Sequence, residues 1–435
     1  MTRQPSTRNF NRAGTKRIQP HPAAPTTSPT ASSARSGGMQ REQATNQIAD
    51  WLTEPRRQGL VLPLNGPAGA GKTSLLESIR SQFTGSLYLD CGGLTAEQVV
   101  HTLLDELGID ISAKRGHYRL FDALSGYRGH AIALLANTQW AGSTFTSNEP
   151  RRIARNVAEA FGWHSSGCIR VVVEGDSAPD RRPVHRSNEI ILSGEAGTPE
   201  PASLLGDFPL LRPLAAAELR YVPFEVWEFL SSALGIPATS AELRRVAEQI
   251  PEVLTTDERS DGPAYVAFRS ASIKQRIRLQ SPLVNSEQLR ITDALLAAAT
   301  AHDAGPVKAY AARSLPLHAA WAGVLPDLMD NRVSLVAHSE RGALLQGMAL
   351  AWPDGVPMGR IAADVHYLQE EGVAPASHGE WLAWLHWAAS NRGRRDWADQ
   401  LATSGAQLPW RTVWAKWRPY GLLGSYPGET VLLTT

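Results

Sequence analysis

Apolar residues in the first half of the chain fall into short runs separated by stretches of helical spacing, whereas the second half keeps the helical spacing alone. Leu60-Val61-Leu62-Pro63-Leu64 is a compact apolar run; glycines follow, and Ser74-Leu75-Leu76-Glu77-Ser78-Ile79 then places apolar residues at helical intervals. That order predicts strand, turn, helix. Ser86 to Cys91, His130 to Ala136 and Ile169 to Val173 read as further strands, with helices over Ala96 to Leu107 and Arg151 to Phe161 between them. Gln40 to Leu52 reads as a helix ahead of the first strand. Such alternation predicts an α/β domain with a parallel sheet and helices on both faces. Ile190-Ile191-Leu192 and Leu210-Leu211 compete for the fifth strand, and the pattern does not separate them.

Beyond Pro213 the strands thin out. Ala215 to Ala233 and Ala241 to Ile250 read as helices; Glu252 to Thr256 and Tyr265 to Phe268 read as short strands about a polar turn, Asp257 to Pro263. Helices followed by two short strands predict a winged-helix-like module. From Asn285 the chain is Ala- and Leu-rich helix broken by Pro306, Pro316, Pro326, Pro353 and Pro375, the pattern of stacked helical hairpins without a fixed repeat. Seven of the 13 tryptophans, at 381, 384, 387, 397, 410, 414 and 417, crowd the end of the chain. Trp381, Trp384 and Trp387 form either a helix stripe packed as core or an exposed partner-binding patch.

The predicted division is therefore a basic Pro/Ser/Thr-rich tail over 1–38, an α/β domain over 39–213 and a helical lid with winged-helix-like module over 214–284. A helical region over 285–408 and a Trp-rich extension over 409–435 complete it. Met1 to Arg41 has seven basic residues and no acidic one, with no apolar periodicity, so a disordered tail is expected. A phosphate-gripping arm and a true start at Met39 are the alternatives. Charged residues make up 20% and the formal net charge is +1, so no overall field draws the chain to nucleic acid or membrane. No run approaches the ~20 apolar residues that cross a bilayer, so a cytoplasmic protein with no membrane partner is expected. Cys91 and Cys168 are the only cysteines, which excludes a disulfide scaffold or a multi-cysteine zinc site. His101, His117 and His338 show no metal spacing.

One motif carries chemistry. Gly66-Pro67-Ala68-Gly69-Ala70-Gly71-Lys72-Thr73 completes the G-x-x-x-x-G-K-[ST] pattern between a predicted strand and a predicted helix. Glycines let a backbone curl tightly enough to aim several N–H groups into one concavity, and the helix that begins at Lys72-Thr73-Ser74 presents its own N–H groups and positive dipole end to the same place. Lys72, one of six lysines in the chain, is expected on the β- and γ-phosphates of ATP or ADP, and the Thr73 hydroxyl on Mg²⁺. Hydrolysis is a separate matter. The strand Ala131 to Ala136 runs into Asn137-Thr138-Gln139-Trp140, with no carboxylate at its tip to hold Mg²⁺ through water. Asn137 is the candidate to hold a metal-bound water and Gln139 to orient an attacking one. Glu174 and Asp176, after Val171-Val172-Val173, are the alternative acids, Asp90 a further one, and Arg181, Arg182 and Arg186 a nearby basic cluster.

These residues resemble the STAND class of P-loop regulatory ATPases, relatives of AAA+ proteins, over most of residues 40 to 420. Beside the phosphate loop, Leu211-Arg212-Pro213-Leu214 followed by Glu218-Leu219 is similar to the family's run into its lid helices. Phe268-Arg269-Ser270-Ala271-Ser272-Ile273 is similar to the end of its winged helix, and Gly235-Ile236-Pro237 to a Gly-x-Pro element near the nucleotide. The resemblance implies a nucleotide-dependent switch whose C-terminal helices sense a protein partner, with a nucleotide-dependent homo-oligomer among the outcomes. Asn137-Thr138-Gln139 departs from the family's acidic strand end, which places turnover in doubt and leaves slow or absent hydrolysis as the expectation. Trp410 to Trp417 resembles the lead-in to a WD-type propeller of larger relatives, although the sequence stops at Thr435 and a propeller is expected, if at all, on another chain. Two other readings stay open: a DNA-binding regulator using Arg269, Lys274, Arg276 and Arg278 with Arg244-Arg245, and a nucleotide-locked scaffold for a protein partner.

Overall fold

The structure is a computed structural model that describes residues 39–54, 60–67, 69–110, 119–175, 189–193, 201–257, 263–301, 304–373, 375 and 377–414. The tail over 1–38, Ala68, Asp176, the Arg181-Arg182-Arg186 cluster and the residues from Ala415 onward lie outside the described residues.

Five strands, β1 (Val61–Asn65), β2 (Leu87–Asp90), β3 (Ala131–Ala136), β4 (Ile169–Glu174) and β5 (Ile190–Ile191), form one sheet in the order β2-β3-β4-β1-β5. Every pairing is parallel, with Leu62 opposite Val172 and Leu134 also opposite Val172. Ile190-Ile191 is thus the fifth strand. Leu211 instead opens the helix Leu211–Ala216, because its N–H closes a turn onto the Phe208 carbonyl. Met39 extends the β5 edge by one residue, its N–H donating to Ile191 O at 2.8 Å.

Successive side chains of a strand face opposite ways, and here both faces are buried. Leu62, Leu64, Leu134 and Val172 pack beneath the helices Arg41–Thr53 and Lys72–Gln82, where Ile48, Leu75, Leu76 and Ile79 are fully covered. Ala133, Leu135, Val171 and Val173 face the other way, onto Val99, Leu103 and Phe161. The helix Ala96–Glu106 supplies the first two; its Thr95–Gln98 capping box satisfies two of the N–H groups that a helix start leaves unpaired.

The expected single helix over Ala215 to Ala233 is broken. The chain leaves helical geometry at Ala217, runs through a two-residue strand, β6 (Val222–Pro223), and resumes as Phe224–Ala233. Pro223 has no N–H for a continuing helix, and Val222 pairs instead with Val266. β6 joins β7 (Leu254–Asp257) and β8 (Tyr265–Phe268) in an antiparallel sheet of order β6-β8-β7. Pro316 does not break its helix either: it lies inside Pro306–Trp321, whereas Pro306 and Pro326 sit in first turns, where a missing N–H costs nothing.

From Leu204 to Leu401 one continuous core runs through the three-stranded sheet and the helices, including Trp227, Tyr310, Leu344 and Trp381. The tryptophan stripe belongs to that packing: Trp381 is buried, and Trp384 meets Trp387 and Trp410 edge-on at 5.9 and 5.2 Å. Pro306–Trp321 and Arg341–Ala351 pack backbone against backbone at Gly347, where a Cβ would stand 2.7 Å from the Pro316 carbonyl oxygen. Backbone cannot yield there as a flexible side chain can. Gly347→Ala is expected to lower stability by about 1–3 kcal/mol, while Gly342→Ala in the same helix, where a Cβ meets nothing within 4 Å, raises it by roughly 0.5–1 kcal/mol. Urea unfolding of the two variants checks the contrast, and equal effects would refute this account of the helix contact.

Candidate functional site

β1 ends at Asn65, and the chain turns through the glycine-rich loop into Lys72–Gln82. Gly69 and Gly71 have φ of +85° and +78°, in the left-handed region that a side chain disfavours. Gly71 stands immediately before the helix, so the first-turn N–H groups of Lys72, Thr73 and Ser74, which have no intrahelical acceptors, open toward the loop. Gly66 is buried and Pro67 and Gly69 are exposed at its rim; Ala70 closes the turn with its N–H on Pro67 O at 3.2 Å. Lys72 is buried, and its Nζ donates to Gly66 O at 2.6 Å and Pro67 O at 3.0 Å. The ammonium therefore lies inside the curl of the loop. Ser74 is turned to the outer side, where Arg41 Nη2 donates to its hydroxyl at 2.8 Å.

β4 lies directly beside β1, which brings Glu174 to the phosphate loop. The Thr73 hydroxyl is 3.0 Å from both Glu174 carboxylate oxygens. The β3 tip converges on the same group: Asn137 N–H donates to Oε2 at 2.9 Å and Gln139 Nε2 to Oε1 at 3.1 Å, while the Thr138 hydroxyl donates to the Glu174 carbonyl. The structure thus brings together four residues that the sequence offered separately, Thr73, Asn137, Gln139 and Glu174. Asn137 adopts φ +55°, an αL position that Asn tolerates better than most residues, and this bends the β3 end back over Glu174. Gln139 Oε1 is buried without a hydrogen-bond partner among the described residues. Asn137 Nδ2 donates to Asp90 Oδ1 at 3.1 Å, which ties the third strand tip in.

This edge of the sheet is electronegative. Burial, with Glu77, Asp90 and Glu174 nearby, pushes the Tyr88 phenol up to about 12. Burial, with Asp90 and Glu174, does the same to the Cys91 thiol. Two carboxylates at strand tips, beside a helix start that carries a lysine, can hold a cation and a polyanion together.

Sequence reasoning missed how the β3 tip continues. Phe145 N–H donates to Glu218 O at 2.5 Å, and Thr146 donates to the Glu218 carboxylate through its N–H at 3.1 Å and its hydroxyl at 2.7 Å. Glu218 is fully buried, accepts from Arg278 at 2.7 Å, and is held below the usual carboxylate range against the effect of burial by Arg278, Lys274 and Thr146. Arg278 and Lys274 both lie 4.7 Å from the centre of the Phe145 ring. The segment is pinned a second time: the Thr144 hydroxyl donates to Gln346 Oε1 at 2.6 Å, and Gln346 Nε2 to the Ser147 hydroxyl at 3.2 Å. Residue types alone carried no signal for these pairings, which join positions up to 202 apart.

The same contacts revise the basic patch. Lys274 is buried with Nζ on Leu219 O at 2.8 Å, Arg278 holds the carbonyls of Ala215, Ala216 and Ala217, Arg269 holds Pro251 O, and Arg244 lies over the Phe224 ring. Lys274 and Arg278 thus point into the protein, whereas Arg269 and Arg245 are exposed and Arg244 and Arg276 half-buried.

No protein-family model and no curated protein matches the chain. Among solved structures, it is similar to Cdc6p from Pyrobaculum aerophilum at 12% identity and a TM-score of 0.26, over 58% of this chain and 97% of that one. Among the described residues no helix is long and apolar enough to cross a membrane.

A directional chain extends from Glu218: its N–H donates to the Tyr310 hydroxyl at 3.2 Å, that hydroxyl meets His318 Nε2 at 3.1 Å, and His318 Nδ1 meets Gln288 Oε1 at 2.8 Å. A neutral imidazole fits both contacts, and burial lowers His318 to about 4, the Glu218 charge notwithstanding. Unfolding restores a pKa near 6.5, so the unfolded chain binds the extra proton and stability falls as pH drops through the window from 6.5 to 4. The loss is at most about 3 kcal/mol. Urea midpoints measured across that window should decline in the wild type and much less in His318→Gln; parallel declines would contradict a neutral buried imidazole.

Proposed function

We propose that this chain is a nucleotide-dependent regulatory switch of the STAND type, which binds ATP or ADP with Mg²⁺ and hydrolyses ATP slowly or not at all. The observation that carries the reading is the Thr73 hydroxyl set against the Glu174 carboxylate directly beside a complete phosphate loop. Backbone N–H groups of Gly69, Gly71, Lys72, Thr73 and Ser74 would cradle the phosphates, and the Lys72 ammonium would exchange the Gly66 and Pro67 carbonyls for phosphate oxygens. The donor set fits Mg²⁺: a hydroxyl and a carboxylate are hard oxygen ligands, and the unpartnered Gln139 Oε1 can accept from a water on the ion. When bound, the ion would neutralise charge between the β- and γ-phosphates. Glu174 supplies the negative charge that Asn137 lacks, while Asn137 and Gln139 hold that carboxylate by donating to it. All four of these donors and acceptors are already engaged with one another, which favours binding and slow turnover over rapid hydrolysis.

The switch reading rests on connectivity. The β3 tip that touches Glu174 leads within a few residues to Thr144–Ser147, which is held by Glu218, Arg278 and Gln346. Nucleotide occupancy at Glu174 would therefore reach the lid, the winged-helix-like module over 214–284 and the helical half over 285–408. That helical half is the surface we assign to a protein partner, or to further copies of the chain, in the cytoplasm. The inward-facing Lys274 and Arg278 take two of the six basic residues from the DNA-binding reading, which keeps Arg244, Arg245, Arg269 and Arg276.

Wild-type protein is expected to gain thermal stability with MgATP or MgADP, and calorimetry should show Lys72→Ala weakening nucleotide binding by about 10- to 100-fold. Glu174→Gln should remove most of the Mg²⁺-dependent part of the affinity, and Asn137→Asp should raise phosphate release above a low wild-type rate. A wild type whose melting is untouched by either nucleotide would end this reading.

A further inference from the structure

A cavity of about 350 Å³ opens where the helices Leu211–Ala216, Ala271–Gln280, Asn285–Thr300 and Pro306–Trp321 meet, away from the phosphate loop. Ala215, Ala216, Ile277, Pro282, Leu283 and Trp321 form its apolar wall, and Arg212, Arg278, Ser281 and Gln288 supply its polar groups. Ligand sites have this make-up: mostly apolar, a few placed polar groups, a position between packed modules, and a volume from about 300 Å³ upward.

The hydrogen-bond ledger of the polar wall specifies what would fit. Arg212 is spent: Nη1 and Nη2 close on Glu287 at 2.8 and 2.7 Å, and Nε faces Ser281 O. Arg278 commits Nε to Ala215 O and Nη2 to Ala216 O, Ala217 O and Glu218, which leaves Nη1 without a bonded acceptor among the described residues. Gln288 commits Oε1 to His318, which likewise leaves the two amide hydrogens on Nε2. Neither nitrogen is sealed away from solvent, although Gln288 is only 8% exposed, and both residues line the cavity. The carboxylates that pair with the two arginines, Glu287 and Glu218, are not part of the wall. The cavity thus presents unmatched donors, one of them charged, and no anionic acceptor to match them.

We infer that this cavity binds a small carboxylic acid with an apolar body, its carboxylate on Arg278 Nη1 and Gln288 Nε2 and its body against Trp321, Ile277 and Leu283. An acid carries the two acceptor oxygens that the donors lack, and a flat or short-chain body fills the wall that water would leave unsatisfied. The site goes beyond the nucleotide reading and does not depend on it. It also lies one guanidinium away from Glu218, the group that holds Thr146.

The test uses the full chain without nucleotide, in calorimetry and thermal-shift titrations with benzoate, indole-3-acetate, hexanoate and octanoate, each beside its primary amide. At least one acid should bind saturably, with its amide weaker by about tenfold or more. Ala216→Phe, which fills the cavity from its wall, should weaken the acid by a similar factor. A diazirine-bearing benzoate should label wild-type residues 212–216, 277–288 or Trp321 upon irradiation, and the best-binding acid should block that labelling; this arm needs no variant to fold. No binding by any of the four acids, equal binding of acid and amide, unchanged binding by a folded Ala216→Phe, or labelling confined to other segments would each overturn the inference.

Discussion

A single buried carboxylate, that of Glu174, sets the geometry on which the rest depends. It receives the Thr73 hydroxyl from the phosphate loop and the Asn137 and Gln139 donors from the neighbouring strand tip. A buried carboxylate that lost these donors would bear the desolvation cost of an unpaired charge, so the loop, β4 and the β3 tip are held as one unit. The sheet order makes this possible. With β4 between β1 and β3, the end of β4 is the one place from which a side chain reaches the loop and the β3 tip together.

The same strand tip links the two halves of the molecule. Thr146 and Phe145 enter a junction in which Glu218 sits between Arg278, Lys274 and the neutral His318. Beyond it the core from Leu204 to Leu401 is continuous and packs the three-stranded sheet together with the helices behind it. Polar pairing holds the sheet domain to that body through Glu218 and Gln346, and polar pairing is the kind of contact that can be exchanged without opening a hydrophobic core.

Local pattern revealed what local physics decides. Strand and helix periods placed four of the five parallel strands, and the spacing Gly66 to Thr73 marked the glycine-rich turn into the helix Lys72–Gln82, because glycine conformations and helix starts depend on near neighbours. Ala215 to Ala233 misled because its apolar spacing suits a helix on both sides of Pro223, and the pairing of Val222 with Val266 accounts for the strand that replaces it there. Strand order is a long-range property. From sequence, Asn137 stood at a tip without an acid and Glu174 on another strand; β4 lying between β3 and β1 is what brings the two together beside the loop. The inward turn of Lys274 and Arg278 was hidden likewise, since a basic residue on a helix looks the same in sequence whether it meets water or a buried Glu218.

The most direct measurement is a crystal structure of the full chain grown with a non-hydrolysable ATP analogue and Mn²⁺, with anomalous data collected for the metal. The account predicts triphosphate density inside the loop from Gly66 to Thr73 and one anomalous peak within coordination reach of the Thr73 hydroxyl, on the side facing Glu174. Triphosphate bound elsewhere, or a metal peak remote from both residues, would contradict it.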